Sequence, residues 1–412
     1  MYNEKILSVD SAKNLLLSEF QKKLPALKNV KMANGFVLAE EICAPIDLPP
    51  FDNSSMDGFA VRSQDTVNAS STNPIILKVV EDIPAGKNPK KAIQENQTSR
   101  IMTGAPLPKN ADAVVPVEST NFSDRYHDQL LPEKIEIFIS VKRNDYVRPI
   151  GQDNTKGEKI FEIGHVLKPY DLGFISGMGI ESVKVFPPPK IALLSSGDEI
   201  IKAGQSLKPG QIYDINSISI LTLLQSYGAE VLELGTAKDN YEEIKNLFNN
   251  AVSLGADLIV STAGVSLGVY DYVKQVLEEN GQLNFWKVNM RPGKPLTFGH
   301  YKDIPFLGLP GNPVSAYVGS RIFLKPIIQK ILGSETQEEY LETRISEDIE
   351  SDGRESYLRV LVEKTENGSF ATLAKHQGSG NMYSLVCANA LLIVPAGVKS
   401  LPKGSQAKYI KI

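Results

Sequence analysis

Beyond the stiff Pro187-Pro-Pro189 stop, the chain alternates short apolar runs with helical stretches, and this alternation constrains the fold more than any other feature. Ile191-Ala-Leu-Leu-Ser195, Glu230–Leu234 and Asp257–Ser261 read as strands. Between them, Ser217–Tyr227 carries Ile220, Leu223, Leu224 and Tyr227 at helical i, i+3, i+4, i+7 spacing, and Tyr241–Val252 reads as a second helix. Strand–helix alternation implies right-handed βαβ crossovers and a mostly parallel sheet covered on both faces. A last helix is expected from about Pro313 to Ile331.

Three strands in this region run directly into glycine-containing loops. Asp257–Ser261 enters Thr262-Ala-Gly-Val-Ser-Leu-Gly268, Phe285–Asn289 enters Met290-Arg-Pro-Gly-Lys-Pro295, and Pro305–Leu309 enters Pro310-Gly-Asn-Pro-Val-Ser-Ala316. Open α/β sheets bind ligands at the carboxyl ends of their strands, so the pattern suits a pocket for a phosphorylated ligand.

The rest of the chain has a different texture. Residues from about 8 to 23 read as an amphipathic helix, with Ser8 and Asp10 as caps and Leu15, Leu16 and Phe20 on one face. From about Pro49 to Val147 short alternating runs are broken by Pro, Gly and Asn, the pattern of a compact β module. A loop, Val147–Asp153, leads to a mixed segment, and from about Ser334 the chain is β-rich again. At 412 residues several domains are expected, and 42% hydrophobic with 22% charged residues is ordinary for a soluble globular protein. A net charge of −4 argues against a general nucleic-acid binder. Cys43 and Cys387 are too few for a disulfide framework, which points to a reducing cytosol. The first residues lack the basic-then-apolar pattern of a signal peptide, no apolar run reaches membrane-spanning length, and the four histidines show no zinc-ligand spacing.

Five segments are candidates for chemistry. Ser195-Ser-Gly-Asp-Glu199 places two carboxylates on a glycine turn at a strand end. They can hold a hard cation such as Mg²⁺ or simply sit beside a helix dipole; the strand-end location favours function. Around Gly264, Ser266 and Gly268, backbone N–H groups can form an anion nest, although the same residues make an ordinary tight connection; Asp271 follows as a metal ligand, proton acceptor or first-turn acid. Lys287, Arg291 and Lys294 put three cations into eight residues with apolar flanks, suited to phosphate, molybdate or sulfate. Asn312 is placed to cap a helix with Pro313 at its first position, a structural role whose free N–H groups also face any anion. Finally, Phe51–Ala60 and Arg100–Pro106 are polar, glycine-containing loops that hint at one shared surface.

In chain order, Phe51-Asp-Asn-Ser with Met56-Asp-Gly58, Met102-Thr-Gly104, Gly197-Asp-Glu199, Gly210-Gln-Ile-Tyr-Asp214, Gly264-Val-Ser266, Pro292-Gly-Lys-Pro295 and Leu309-Pro-Gly-Asn-Pro-Val-Ser315 together resemble the molybdopterin molybdenumtransferase family, the MoeA and gephyrin E-domain group. The match runs from about Asp47 to His376-Gln-Gly-Ser379. The resemblance implies a multi-domain α/β plus β protein. Residues 1–24 and 185–333 would form a doubly wound, mostly parallel α/β domain of molybdopterin-binding type, and 47–147 a β-rich inserted module. Residues 25–46 with 148–184 would form a small mixed linking domain, and 334–412 a C-terminal β-rich domain. It also implies an elongated homodimer whose cleft joins the α/β domain of one subunit to the β module of the other.

The implied reaction uses adenylylated molybdopterin and molybdate, hydrolyses the adenylate with Mg²⁺, and yields molybdenum cofactor and AMP in the cytoplasm, with possible hand-over from a molybdopterin adenylyltransferase. Carried over by position, Asp57, Thr103, Asp153, Glu199, Asp239 and Asp271 match catalytic positions, and Glu199, Asp239 and Asp271 the metal-binding acids. Arg148, Ser195, Gly197, Asp198, Gly264, Ser266, Gly268, Lys287, Arg291, Lys294, Pro310, Asn312, Pro313 and Ser384 match substrate-binding positions. Ala263, Val269, Arg291 and Asn240 depart from the commoner pattern; Val269 removes one possible metal ligand, while Arg291 keeps its charge. A molybdopterin adenylyltransferase and a non-catalytic pterin-binding scaffold are the alternatives. The first needs only the α/β pocket, and the second has little use for carboxylates opposed to a basic loop.

Overall fold

The computed structural model describes residues 6–122, 131–262, 272–334, 338–366 and 368–412. The chain forms two compact units: Met1–Glu40 with Ile163–Lys168 and Ser182–Ile412, and Glu41–Glu162 with Pro169–Glu181.

The first unit is built on a six-stranded sheet. Its elements follow α1 (Val9–Ser18), β1 (Lys190–Ser196), α2 (Asn216–Ser226), β2 (Glu230–Ala237), α3 (Tyr241–Ser253), β3 (Leu258–Thr262), α4 (Tyr272–Asn280), β4 (Gly281–Lys287), β5 (Pro295–Tyr301) and β6 (Ile304–Leu309). The strand order is β2-β1-β3-β6-β5-β4. The first four are parallel, and β5 and β4 add an antiparallel edge. Because β4 runs in the same direction as β6, its carboxyl end emerges on the same edge as those of β1, β3 and β6. Strand β5 was not expected from the sequence; Pro295 closes the basic loop and starts a buried strand at once.

Both faces of this sheet are covered, as expected. Ile191 and Leu193 face a core with Ile220 and Leu224 of α2 and Leu16 of α1. Ala192 and Leu194 face the opposite core with Ile244 and Phe248 of α3 and Val276 and Leu277 of α4. The two-residue period of a strand thus divides one apolar run between two cores.

Two helices differ from expectation. Helix α1 ends at Ser18, with the Glu19 and Phe20 N–H groups turning back to the Leu16 and Leu17 carbonyls, so Phe20 is buried from beyond the helix. Ser8 caps its start by accepting the Ser11 N–H. The run from Pro313 to Ile331 is α5 (Pro313–Gly319), a π-helical turn Ser320–Leu324 and α6 (Lys325–Ile331). Pro326 lacks the N–H that would bond back to Ile322, which favours a wider turn just before it.

The C-terminal part closes on itself. Strands β7 (Leu341–Ile345), β8 (Glu355–Thr365), β9 (Gly368–Leu373), β10 (Ala390–Val394) and β11 (Gln406–Lys411) pair in the ring β8-β9-β7-β11-β10-β8. Met290–Arg291 pairs in parallel with Glu355–Ser356, attaching the basic loop to the first residues of β8. A small sheet of Ala26–Asn29, Ser182–Phe186 and Val37–Leu38 completes the unit.

The second unit holds a five-stranded sheet in the order Ala113–Pro116, Gly58–Val61, Gln97–Ile101, Ile75–Ile83, Lys134–Ile137. Phe59, Val61, Leu77, Val115 and Ile135 fill its core. Among the described residues no helix is long and apolar enough to cross a membrane.

Candidate active site

The carboxyl edge of the α/β sheet holds a cavity of about 420 Å³. Ser195 and Ser196 from β1, Thr262 from β3, and the loop Pro310–Pro313 after β6 wall it, together with Glu199 and Asp214. Gly197 makes the turn after β1 with φ +140°; a Cβ there would lie 2.7 Å from a Glu199 carboxylate oxygen. The positive φ is what favours glycine here, and its missing Cβ leaves room for the Glu199 carboxylate.

The polar groups of this cavity are specifically held. Asp214 accepts the Ser217 N–H at the start of α2, and Ser195 Oγ lies 2.8 Å from Thr236 Oγ1 and 3.4 Å from Asp214. Asn216 donates its amide N–H to the Gly311 carbonyl at 2.8 Å, which aims its oxygen the other way. That oxygen and the Thr262 hydroxyl, in a residue 1% exposed, are buried with no protein partner among the described residues. Buried polar atoms left so are groups that a ligand can satisfy. Asp214 and Asn216 were not singled out from the sequence as site residues; a carboxylate just ahead of an amphipathic helix was the available signal.

Beside Glu199 lies an acidic corner. Asp239 donates its backbone N–H to Asp198 at 3.3 Å. Burial, and then the charges of Asp198 and Glu199, hold the Asp239 carboxyl above its ordinary range. Among the described residues no three His, Cys, Asp or Glu side chains converge as a metal cage. Two carboxylates with unrelieved negative charge nevertheless suit Mg²⁺, which takes most of its remaining ligands from water and substrate oxygens. Asn240, where a second acid was an alternative, caps α3 by accepting the Glu243 N–H. Asp271, Gly264, Ser266, Gly268, Ala263 and Val269 lie outside the described residues.

A second cavity, about 310 Å³, adjoins the first and shares Pro295 and Asn312 with it. Four cations line it: Arg291 and Lys294 from the basic loop, and Arg354 and Arg359 from the start of the barrel. Gly293, at φ +107°, turns the loop that presents the first two. Arg359 is 1% exposed, and among the described residues no carboxylate lies within ion-pair distance of it. It donates to Ser384 Oγ at 3.0 Å and to the Gly378 carbonyl at 3.1 Å. Burial, with a contribution from Arg291, pushes its pKa down to about 10. A buried guanidinium without an acid is costly unless an anion completes it, so this pocket is built for one.

The sequence-derived candidates divide accordingly. Ser195, Glu199, Pro310, Asn312 and Pro313 wall the first cavity, and Arg291, Lys294 and Asn312 the second. Lys287 walls neither: it ends the edge strand β4, and its carbonyl accepts the Leu7 N–H. Ser384 acts on the second cavity through Arg359. Asn312 stands at the helix start as expected, but its side chain makes no capping bond; the Val314 N–H is instead taken by the Ser379 carbonyl.

In the second unit, the two polar loops do share a surface. Asp57 accepts both the Thr103 N–H and its hydroxyl at 2.7 Å, while the Gly104 N–H donates to the Ser54 carbonyl. Asp52 accepts the Ile150 N–H, and Arg148 pairs with Asn53, so the returning loop joins them. Asp153 is exposed, with its N–H on the Leu48 carbonyl.

A cavity at the carboxyl edge of an α/β sheet, adjoined by an arginine-lined pocket against a small barrel, places the chain among multidomain α/β proteins with a barrel-like C-terminal part. Three family models match this chain in succession: the MoeA N-terminal region (domain I and II) over residues 7–179, a probable molybdopterin binding domain over 192–330, and the MoeA C-terminal region (domain IV) over 342–412. A molybdopterin molybdenumtransferase of Nostoc sp. is 33% identical over 92% of this chain and 87% of its own length. Another, of Bacillus subtilis, is 34% identical over 91% and 87%. The crystal structure of a molybdopterin biosynthesis MoeA protein from Pyrococcus horikoshii superposes with a TM-score of 0.78 at 32% identity, covering 99% of both chains. The chain belongs to the molybdopterin molybdenumtransferase family.

Proposed function

We infer that the chain inserts molybdenum into molybdopterin, taking molybdate and adenylylated molybdopterin to molybdenum cofactor and AMP. The observation that carries this reading is the fully buried, acid-free Arg359 in a pocket that shares two wall residues with the larger ligand cavity. Arg291, Lys294, Arg354 and Arg359 supply N–H donors for a tetrahedral dianion, with Arg359 held by Ser384. Asp214, Asn216 and Thr262 offer polar atoms to the pterin-bearing substrate next door. Asn312, with its amide free of the helix cap, stands between the two.

Mg²⁺ would be held by Glu199 and Asp239, where it would neutralise the charge of a pyrophosphate link. Asp271 is proposed as the third acid. We further propose a cytoplasmic homodimer in which Asp57, Thr103, Arg148 and Asp153 of one subunit serve the cleft of its partner, supplied by an adenylyltransferase. The same proposal divides the chain into four domains: 1–24 with 185–333, 25–46 with 148–184, 47–147, and 334–412.

The test is reconstitution with purified protein, adenylylated molybdopterin, Mg²⁺ and molybdate, following cofactor formation. Cofactor formation lost on deletion of residues 47–147 supports the transferase. Tight pterin binding with no product under any molybdate concentration would favour a scaffold instead.

A further inference from the structure

The anion pocket has an acid of its own, placed at its edge. Asp352 Oδ2 accepts from Arg354 Nε at 3.0 Å and from Arg354 Nη2 at 2.5 Å, and lies 4.0 Å from Arg291 Nη1. Its other oxygen accepts the Arg354 backbone N–H at 3.1 Å. Arg354 also donates from Nη1 to the Met290 carbonyl, which ties its guanidinium to the loop that carries Arg291 and Lys294. Among the described residues Asp352 is the one carboxylate within ion-pair distance of any of the four pocket cations. The side chains of Asp352, Arg354 and Arg291 are 40%, 30% and 41% exposed, so they meet at the mouth rather than in the depth of the pocket.

We propose that Asp352 is a resident counter-anion: it holds Arg354 and Arg291 in place while the pocket is empty and competes with the incoming oxyanion for them, thereby setting the anion's affinity. This inference rests on the oxyanion-pocket reading above and goes beyond it by naming the residue that weakens binding.

Four cations in one small cavity repel one another, and one carboxylate relieves that repulsion while no ligand is present. A dianion entering the same cavity is repelled by that carboxylate and must share its donors. Asp352 stays ionised across the working range, because the hydrogen bond from Arg354 draws its pKa down to about 2. The competition is therefore constant and is not switched by pH. Its consequence is an anion that exchanges readily at a pocket whose donors are already positioned.

The sign of one substitution separates this role from a structural one. A residue that merely braced Arg354 would weaken binding when replaced; a competing anion tightens it. Molybdate alone, titrated calorimetrically into the full-length protein, is the probe. Asp352→Asn keeps the shape and an acceptor for the Arg354 N–H, and Asp352→Ser serves if the amide disturbs folding. Both are expected to bind molybdate about fivefold more tightly, the order expected for one like charge removed from half-exposed surroundings. Arg359→Met is measured beside them and is expected to lose binding. Equal or weaker binding in both Asp352 variants, with loss in Arg359→Met, overturns the counter-anion role and leaves the pocket standing. Unchanged binding in Arg359→Met overturns the pocket, and the inference with it.

Discussion

Arg359 donates from Nε to Ser384 Oγ across 3.0 Å, and both residues are buried. Ser384 in turn donates its only hydroxyl proton to the Asn381 carbonyl, so its oxygen is oriented to accept from the guanidinium. A hydroxyl from the short helix Tyr383–Val386 thus holds a strand guanidinium that, among the described residues, is buried with no carboxylate within ion-pair distance.

Replacement of Arg359 by Met should remove molybdate binding by about 100-fold or more without harming the fold. A buried charge lacking a partner stabilises little, and an apolar chain of similar length packs in its place. Thermal melting should show an unchanged or raised midpoint. Ser384→Ala should raise the KM for molybdate several-fold with kcat little changed; an equal fall in kcat would give Ser384 a direct part in the chemistry.

Asp239→Asn should stabilise the protein while impairing it. The Asp239 carboxyl is held above its ordinary range, so the folded state binds its proton more tightly than the unfolded chain does. Its contribution to stability is therefore present at low pH and falls as pH rises through the raised pKa. The amide removes that loss. Melting at pH 7 should rise by about 1–2 °C in the variant, and the difference should shrink toward pH 4. A constant difference at both pH values would contradict the acidic-corner explanation.

Glu199→Gln should abolish turnover with little effect on melting, since it removes one charge at nearly constant volume. Millimolar Mg²⁺ should raise the melting midpoint of the wild type and not that of the double variant Glu199→Gln, Asp239→Asn. A Mg²⁺ shift that survives in the double variant would move the cation elsewhere.

The α/β sheet was legible because its signal is local. Ile191 to Leu194 divide between two cores, and Ile220 and Leu224 lie one turn apart on α2. The anion pocket was half legible. Arg291 and Lys294 sit together in sequence, but Arg354 just before β8 and Arg359 within it lie sixty or more positions on, brought back by the pairing of Met290–Arg291 with Glu355–Ser356. An arginine inside the apolar run Tyr357-Leu-Arg-Val-Leu-Val362 was the available clue. Asn312 was correctly placed at a helix start but wrongly given a capping bond, because the competing acceptor, the Ser379 carbonyl, is distant in sequence.

Asp57→Asn should lower activity, since Asp57 accepts two hydrogen bonds that shape the Thr103 loop. Mixed with Glu199→Gln subunits, it should regain about a quarter to a half of wild-type activity per cleft if the cleft is shared between partners. No recovery in mixed dimers would confine each cleft to one chain.

The most direct measurement is AMP release from adenylylated molybdopterin as a function of molybdate, in the wild type and in Arg359→Met. Release that rises and saturates with molybdate in the wild type, and loses that dependence in the variant, is the predicted result. Release indifferent to molybdate in the wild type, or equally dependent on it in both proteins, would contradict the assignment of this pocket to the oxyanion.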